Sequence, residues 1–131
     1  MSDWDGGSKM TSSIVRALLV TALLGVSAPG AAQQKKPIEI SAERFAFTPS
    51  RVTLTLGEEV EFKLTSEDTA HGFRILDTDI NIAIPKRGQR DIVVRFKPSK
   101  AGRYVFECSR MCGAGHNFMR GELVVKEPGR P

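Results

Sequence analysis

Two thiols, an imidazole and a thioether are concentrated in one short segment near the end of the chain. The segment runs from Cys108 through Cys112 and His116 to Met119, with the spacing Cys-x3-Cys-x3-His-x2-Met. These soft and borderline donors select copper over hard cations such as magnesium or calcium. The chain has only two cysteines and two histidines, and both cysteines and one histidine lie in this segment. The sequence therefore predicts a copper site.

The second histidine, His71, lies in a separate upstream segment. One cysteine, two histidines and one methionine suffice for a mononuclear blue-copper centre, and Cys112, His116, His71 and Met119 meet that description. Cys108 is then an additional donor, because two thiolates can bridge two metal ions. A protein that binds Cu(I) for delivery or storage is a further alternative. Each of these sites requires a folded domain to bring His71 to the other donors.

Other roles for the same residues are less consistent with the spacing. Cys108 and Cys112 could form a disulfide in an exported chain. A structural zinc site favours Cys-x2–4-Cys without a methionine partner. His71 alone would be an ordinary loop histidine, and Met119 alone would fill the core. His116 and Met119 follow the two cysteines at regular short spacings, and this favours a copper site over a disulfide, a zinc site or isolated structural residues.

The elements that must position these residues are predicted to be short β-strands. After the first 32 residues, apolar residues alternate with polar ones in short segments that Gly and Pro turns separate, and no helical period extends over 11 or more residues there. The segments are 38–41, 45–47, 52–56, 60–64, 73–75, 80–84, 91–96, 103–107 and 121–126. We expect an all-β, antiparallel sandwich or barrel of roughly seven to nine strands. Hairpins are predicted at Gly57-Glu58 and at Asp77-Thr78-Asp79.

The chain is predicted to begin with an export signal over residues 1–32. An apolar run over 14–28 is followed by small residues suited to cleavage after Ala32. Met10 gives a better start than Met1, because Asp3 and Asp5 lie where such a signal is normally positive. A linker over 33–37, one domain over 38–127 and a tail over 128–131 complete the organisation. We expect a periplasmic or secreted protein, with membrane contact only through a partner or an uncleaved leader.

The ligand segments resemble those of the dinuclear copper A (CuA) domain of cytochrome c oxidase subunit II and of the nitrous oxide reductase cupredoxin domain. The resemblance covers about Ile38 to Lys126. The matching residues are Gly113, after the second cysteine, and five potential ligands: His71, Cys108, Cys112, His116 and Met119. It implies a cupredoxin-like Greek-key β-sandwich and a pair of copper ions. It also implies a one-electron carrier whose partner is a cytochrome or a terminal oxidase.

Arg110 is a departure from the resemblance. The family commonly has Glu midway between the cysteines, and its backbone carbonyl is a ligand. The carbonyl of Arg110 preserves that ligand, whereas its side chain places a positive charge near the site, which we expect to favour the thiolates. The oxidase members also carry transmembrane helices before this domain, where this chain has only the predicted leader.

Charge and composition exclude several other functions. The net charge of +4 comes without a block of basic residues or interleaved aromatics, so we expect no nucleic acid partner. No catalytic triad or carboxylate pair is present, and we expect a carrier rather than an enzyme. Four arginines form either a basic rim for an acidic redox partner or a solvated surface: Arg74, Arg103, Arg110 and Arg120. Met111 is predicted to pack internally, and three aromatic residues are predicted to be core or shielding residues: Phe73, Tyr104 and Phe118.

Overall fold

Nine β-strands form two sheets in the computed structural model, which describes residues 35–129. The strands are β1 (Ile38–Glu43), β2 (Ala46–Thr48), β3 (Arg51–Thr55), β4 (Val60–Ser66), β5 (His71–Ile75), β6 (Asn81–Ile84), β7 (Ile92–Phe96), β8 (Gly102–Glu107) and β9 (Arg120–Lys126). One 3-10 turn, His116–Phe118, precedes β9. Within residues 35–129, no helix has the length and apolar character that crossing a bilayer requires. The predicted leader lies outside the described residues.

The two sheets combine antiparallel and parallel pairs. The four-stranded sheet has the order β2-β1-β4-β7, and the five-stranded sheet has the order β3-β9-β8-β5-β6. The pairs β1–β4 and β3–β9 are parallel, and the other pairs are antiparallel. The expected all-β sandwich is thus confirmed, but its strictly antiparallel pairing is wrong. Alternation within a strand shows which face is buried, but it carries no information about the direction of the neighbouring strand.

One predicted hairpin is present and the other is wrong. β5 and β6 pair antiparallel around the predicted turn, where Asp77 adopts a φ of 60°. By contrast, β3 and β4 belong to different sheets, so the chain crosses the sandwich at Gly57 instead of turning back on itself. Both strands bury alternate residues, which satisfies the sequence pattern equally well within one sheet or across two.

Four phenylalanines join the sheets across the core. Phe47 and Phe62 of the four-stranded sheet contact Phe73 on β5 and Phe106 on β8, with ring centroids 5.2 to 6.0 Å apart for the contacting pairs. All four side chains are buried. Each such side chain contributes about 1.5–3 kcal/mol by leaving water. This packing fixes β5 and β8 relative to each other, and these are the strands that present His71 and lead into the first cysteine.

Candidate metal site

The sandwich brings the two predicted ligand segments to the same end of the five-stranded sheet, where β5 begins and β8 ends. His71 is the first residue of β5, and Cys108 follows the last residue of the neighbouring strand β8. Met119 immediately precedes β9. The N–H of Cys108 donates to the carbonyl of Met119 at 3.0 Å, and the next rung pairs Glu107 with Arg120. The loop from Cys108 to Met119 is therefore closed at its base by two paired strands.

The five predicted side chains converge around the two sulfurs. The sulfurs of Cys108 and Cys112 are 3.8 Å apart, and both cysteines are free. His71 Nδ1 lies 3.9 Å from Cys108 Sγ, and His116 Nδ1 lies 3.8 Å from Cys112 Sγ. Met119 Sδ is 3.8 Å from Cys112 Sγ. Each thiol thus has its own imidazole.

The sulfur separation fits two thiols that bind a common metal ion better than it fits a disulfide. Two metal–sulfur bonds of about 2.3 Å that meet at a tetrahedral angle place their sulfurs about 3.8 Å apart. A disulfide would require about 2.05 Å. The carbonyl of Arg110 approaches Cys108 Sγ to 3.1 Å, so the predicted backbone donor also faces the cluster. His71 is 0% exposed, Cys108 4% and Cys112 6%, which keeps water away from these donors.

Asp68 orients His71. Asp68 Oδ1 lies 2.6 Å from His71 Nε2, and Asp68 Oδ2 accepts the N–H of Arg44 at 3.0 Å. Burial opposes ionisation of Asp68, but its hydrogen bonds with His71 and with backbone N–H groups hold its pKa below the ordinary value. A carboxylate at Nε2 places the proton on that nitrogen and leaves the Nδ1 lone pair facing the thiols. Asp68 therefore selects the tautomer that a metal needs.

Arg44 and Phe45, between β1 and β2, support the cysteine loop from the opposite sheet. Arg44 Nε donates to the carbonyl of Cys112 at 2.8 Å. The ring of Phe45 covers the loop so closely that a Cβ on Gly115 would lie 2.3 Å from it. A Cβ on Gly113 would lie 3.0 Å from the same ring. Glycine is required at Gly115 because a side chain there would displace Phe45.

Burial raises the pKa of the Cys112 thiol to about 11, and the hydrogen bond that this thiol shares with Cys108 and the negative charge on the Cys108 sulfur act in the same direction. The cation that opposes this rise is Arg44. The side chain of Arg110 is exposed. The basic group that acts on the Cys112 thiol thus comes from another part of the fold, and the expected effect of Arg110 on the two thiolates stays a prediction.

Gly72 allows the β5 backbone to approach the loop. Its N–H lies 3.4 Å from Cys108 Sγ. A Cβ at this position would lie 2.2 Å from Ser109 Oγ and 2.9 Å from the backbone nitrogens of Ser109 and Arg110. Ser109 in turn donates to Asn81 Oδ1 at 2.7 Å on the adjacent strand β6. The absence of a side chain at Gly72 thus sets the distance between the His71 strand and the cysteine loop.

Comparison with known proteins assigns the fold to a family. A sequence model of the cupredoxin-like domain matches residues 16–125, which is most of the chain. The chain belongs to the cupredoxin-like family. Two cytochrome c oxidase subunit 2 sequences from Thermus thermophilus are each 34% identical to this cupredoxin over 90 residues. The aligned region is 69% of this chain and 65% or 52% of those proteins. The cupredoxin thus spans between half and two thirds of these curated relatives.

Solved structures show the same fold. The periplasmic domain of cytochrome oxidase subunit II from Bradyrhizobium japonicum has a TM-score of 0.63 at 18% identity, over 70% of this chain and 84% of that one. Auracyanin A, a blue copper protein from Chloroflexus aurantiacus, has a TM-score of 0.56 at 19% identity, over 70% and 98% of the two chains. The predicted cupredoxin fold and the resemblance to the soluble domain of subunit II are confirmed. The cluster of His71, Cys108 and Cys112 fits a CuA-like site.

The structure brings all the predicted donors together, and their role as copper ligands stays a prediction. Two neighbouring predictions are wrong: Met111 is 74% exposed and Phe118 is 81% exposed, so neither packs inside or shields the site. Phe73 is a core residue as expected. Tyr104 packs edge-on against Phe96 at a centroid distance of 5.5 Å.

Three residues of this cupredoxin's site were missed by sequence reasoning. Asp68 has a weak local signal, because it lies three residues before His71. Arg44 and Phe45 have none, because they reach the loop only through the packing of the two sheets.

Proposed function

We propose that this cupredoxin holds two copper ions in a CuA-type centre and carries single electrons for a terminal oxidase. The observation that supports this most strongly is the pair of buried thiols 3.8 Å apart, each with its own imidazole nitrogen within 3.9 Å. Copper bound there would supply reversible one-electron uptake and release.

The number of donors supports two ions rather than one. Six donors face the cluster: the Cys108 and Cys112 sulfurs, the His71 and His116 imidazoles, the Met119 sulfur and the Arg110 carbonyl. Cys108 and Cys112 would hold both ions, and the two imidazoles, Met119 and the Arg110 carbonyl would give each ion one nitrogen and one weaker donor. A mononuclear blue-copper site needs only one cysteine. It would leave the buried thiol of Cys108 without a role.

The protein surroundings suit electron transfer rather than catalysis. Both cysteines lie in a loop closed by paired strands, and Asp68 fixes the ring of His71. Ligands held in this way move little when charge changes. Two thiolates offset most of the charge of two copper ions, which keeps the desolvation cost small in a buried site. If these side chains and the Arg110 carbonyl supply all the donors, they would leave no position for a substrate.

The relatives suggest the setting in which this carrier works. The matching Thermus thermophilus proteins are named cytochrome c oxidase subunit 2, and the matching Bradyrhizobium japonicum domain is described as periplasmic. By analogy, we propose that this cupredoxin is exported and exchanges electrons with a cytochrome or a terminal oxidase, as a subunit or as an accessory protein. Cleavage of the predicted leader after Ala32 belongs to this proposal.

Metal analysis and visible absorption of the copper-loaded chain test the dinuclear centre. We expect close to two coppers per chain and the paired bands that give CuA its purple colour. One copper with a single intense band would show a blue-copper site instead. One copper with almost no visible absorption would show a Cu(I)-handling protein. Either result would refute the proposal.

Variants at one cysteine and two methionines sharpen this test. Cys108→Ser should abolish the paired bands, because the proposed dinuclear centre needs both sulfurs and the variant keeps only that of Cys112. Met119→Leu should shift the bands, since Met119 Sδ faces the cluster. Met111→Leu is the matched control, because Met111 lies in the same loop but is 74% exposed. A Cys108→Ser protein with an unchanged spectrum would contradict the bridging role.

A further inference from the structure

The outer face of the five-stranded sheet carries a strong excess of positive charge. Inward-facing residues such as Phe106 and Leu123 alternate with outward-facing charged residues along these strands. We define the arginine face by its five cations and two carboxylates: Arg51, Arg74, Arg103, Arg120, Lys126, Glu107 and Glu122. Its net charge is therefore +3.

The opposite face of the sandwich has a different balance. The exposed or half-buried outward positions of β1, β4 and β7 carry three carboxylates and two cations: Glu39, Glu43, Glu61, Lys63 and Arg95. Their net charge is −1. The basic excess of the domain is thus concentrated on one sheet.

The carboxylates of the arginine face lie beneath its cations. Glu122 pairs with both Arg51 and Arg103, while Glu107 pairs with Arg74 and lies 3.9 Å from Arg120. The arginine side chains are 47% to 70% exposed, whereas the two glutamates are 16% and 17% exposed. Each glutamate offsets one of its two arginines, so each group of three keeps one positive charge. An approaching molecule therefore meets guanidinium groups, which bind carboxylates well.

The arginine face continues into the candidate metal site. Arg74, Glu107 and Arg120 line a cavity of about 230 Å³ together with Cys108, His116 and Met119. Phe118, which lies between the lining residues Asn117 and Met119 in sequence, is 81% exposed and is a large apolar side chain. Protein docking sites commonly combine an aromatic contact with a polar rim. The charged surface thus borders the residues through which an electron would enter or leave.

We propose that the arginine face is the docking surface for an acidic redox protein, which uses surface carboxylates to bind beside His116 and Phe118. The proposal rests on the proposed electron-transfer function and adds the chemical class of the partner. Carboxylates of the partner would bind the exposed guanidinium groups, and its redox centre would lie near the metal ligands. Complementary charge of this kind raises the association rate and selects the partner.

Binding between the copper-loaded full chain and two redox probes of opposite charge tests this proposal. The acidic probe is the soluble domain of cytochrome b5, and the basic probe is a mitochondrial cytochrome c. At low ionic strength we expect the acidic probe to bind, the basic probe to bind at least tenfold more weakly, and the acidic complex to weaken as salt is added. Equal binding of both probes, or no binding of the acidic one, would overturn the proposal.

Paired variants locate the surface. Arg51→Gln with Arg74→Gln removes one cation from each group of three, and each glutamate keeps its other arginine nearby. This change should weaken binding of the acidic probe about three- to tenfold. Lys63→Gln with Arg95→Gln removes the same charge from the opposite sheet and should change binding less than about twofold. Glu122→Gln should act in the opposite direction and strengthen it. Equal effects of the two double variants would overturn the assignment to this face.

Two further measurements separate this inference from its alternatives. Binding to vesicles that contain anionic phospholipid, without binding to the acidic protein, would assign the face to a membrane surface and overturn the proposal. Copper content and colour, recorded on the same samples, report the proposed function independently. A purple chain that holds two coppers but does not bind the acidic probe would refute the docking surface and leave the proposed dinuclear centre intact. A one-copper chain that still binds the probe on this face would refute only the dinuclear centre.

Discussion

Replacing Gly72 by alanine tests how closely the His71 strand must approach the cysteine loop. The new Cβ would lie 2.2 Å from Ser109 Oγ and 2.9 Å from the backbone nitrogens of Ser109 and Arg110. Ser109 can rotate away if it gives up its 2.7 Å hydrogen bond to Asn81. The backbone cannot rotate away, and an ordinary contact of 3.4 Å requires it to move by about 0.5 Å. Overpacking of this size costs about 1–3 kcal/mol.

The same shift should affect metal binding more than it affects stability. Metal–ligand distances tolerate changes of only about 0.2 Å, so a displacement of about 0.5 Å between His71 and Cys108 should greatly reduce copper retention. We expect Gly72→Ala to lower the unfolding free energy by about 1–3 kcal/mol in denaturant titrations. We also expect it to lose the paired visible bands. Adding Ser109→Ala removes the side-chain contact but not the backbone contacts, so it should restore stability only in part.

Gly57→Ala is the matched control. Gly57 has a φ of 78°, and a Cβ added there would have no heavy atom within 4 Å, so alanine at this position is strained but not crowded. It lies after β3 and bonds to Pro98, at the end of the sandwich away from the ligand loop. It should cost about 1–2 kcal/mol and leave copper loading unchanged. If Gly72→Ala loads copper normally, or if Gly57→Ala loses it equally, the close approach at Gly72 does not determine the site.

Three further predictions concern the residues around the ligands. Asp68→Ala should weaken copper retention about 10- to 100-fold in competition with a Cu(I) chelator, and Asp68→Asn should weaken it less, since its amide oxygen can still accept from His71. Equal copper retention in the unmodified chain and both Asp68 variants would contradict the role of Asp68 in orienting His71. Because the pKa of Cys112 is raised to about 11, this thiol must release a proton when it binds metal at neutral pH. Copper affinity should therefore rise between about pH 6 and about pH 8, and a flat profile would count against a protonated thiol. Phe45→Ala should cost about 2 kcal/mol in denaturant titrations, because the half-buried ring packs on Gly115; unchanged stability would show that the ring does not support the loop.

The parts of the fold that depend on local pattern were predictable from sequence. Alternating apolar residues located the strands, and the β5–β6 hairpin followed from a short polar turn. Sequence could not predict that the chain crosses between sheets at Gly57. It also could not predict the parallel pairs β1–β4 and β3–β9, because strands far apart in sequence pair through tertiary packing. An amphipathic strand satisfies the same pattern in either sheet.

The same distinction applies to the site. Cys108, Cys112, His116 and Met119 lie in one loop, so their spacing alone indicates metal chemistry. Arg44, between two strands of the other sheet, donates a hydrogen bond to Cys112, which is 68 residues away in sequence, and no local sequence pattern predicts that bond. Apolar character also misled the prediction for Phe118. A large apolar side chain is usually buried, but here it remains exposed beside a candidate partner surface.

The position of β9 constrains when the protein can mature. Among the nine described strands, β9 is the last to be synthesised, yet it lies between β3 and β8 and is the only one of them with which β3 pairs. It also starts directly after Met119. A nascent chain from which β9 has not yet emerged therefore has an incomplete five-stranded sheet, and Met119 has no strand to hold it beside the cysteines. Insertion of the proposed metal must follow the synthesis of β9, and a product truncated before β9 should not retain it.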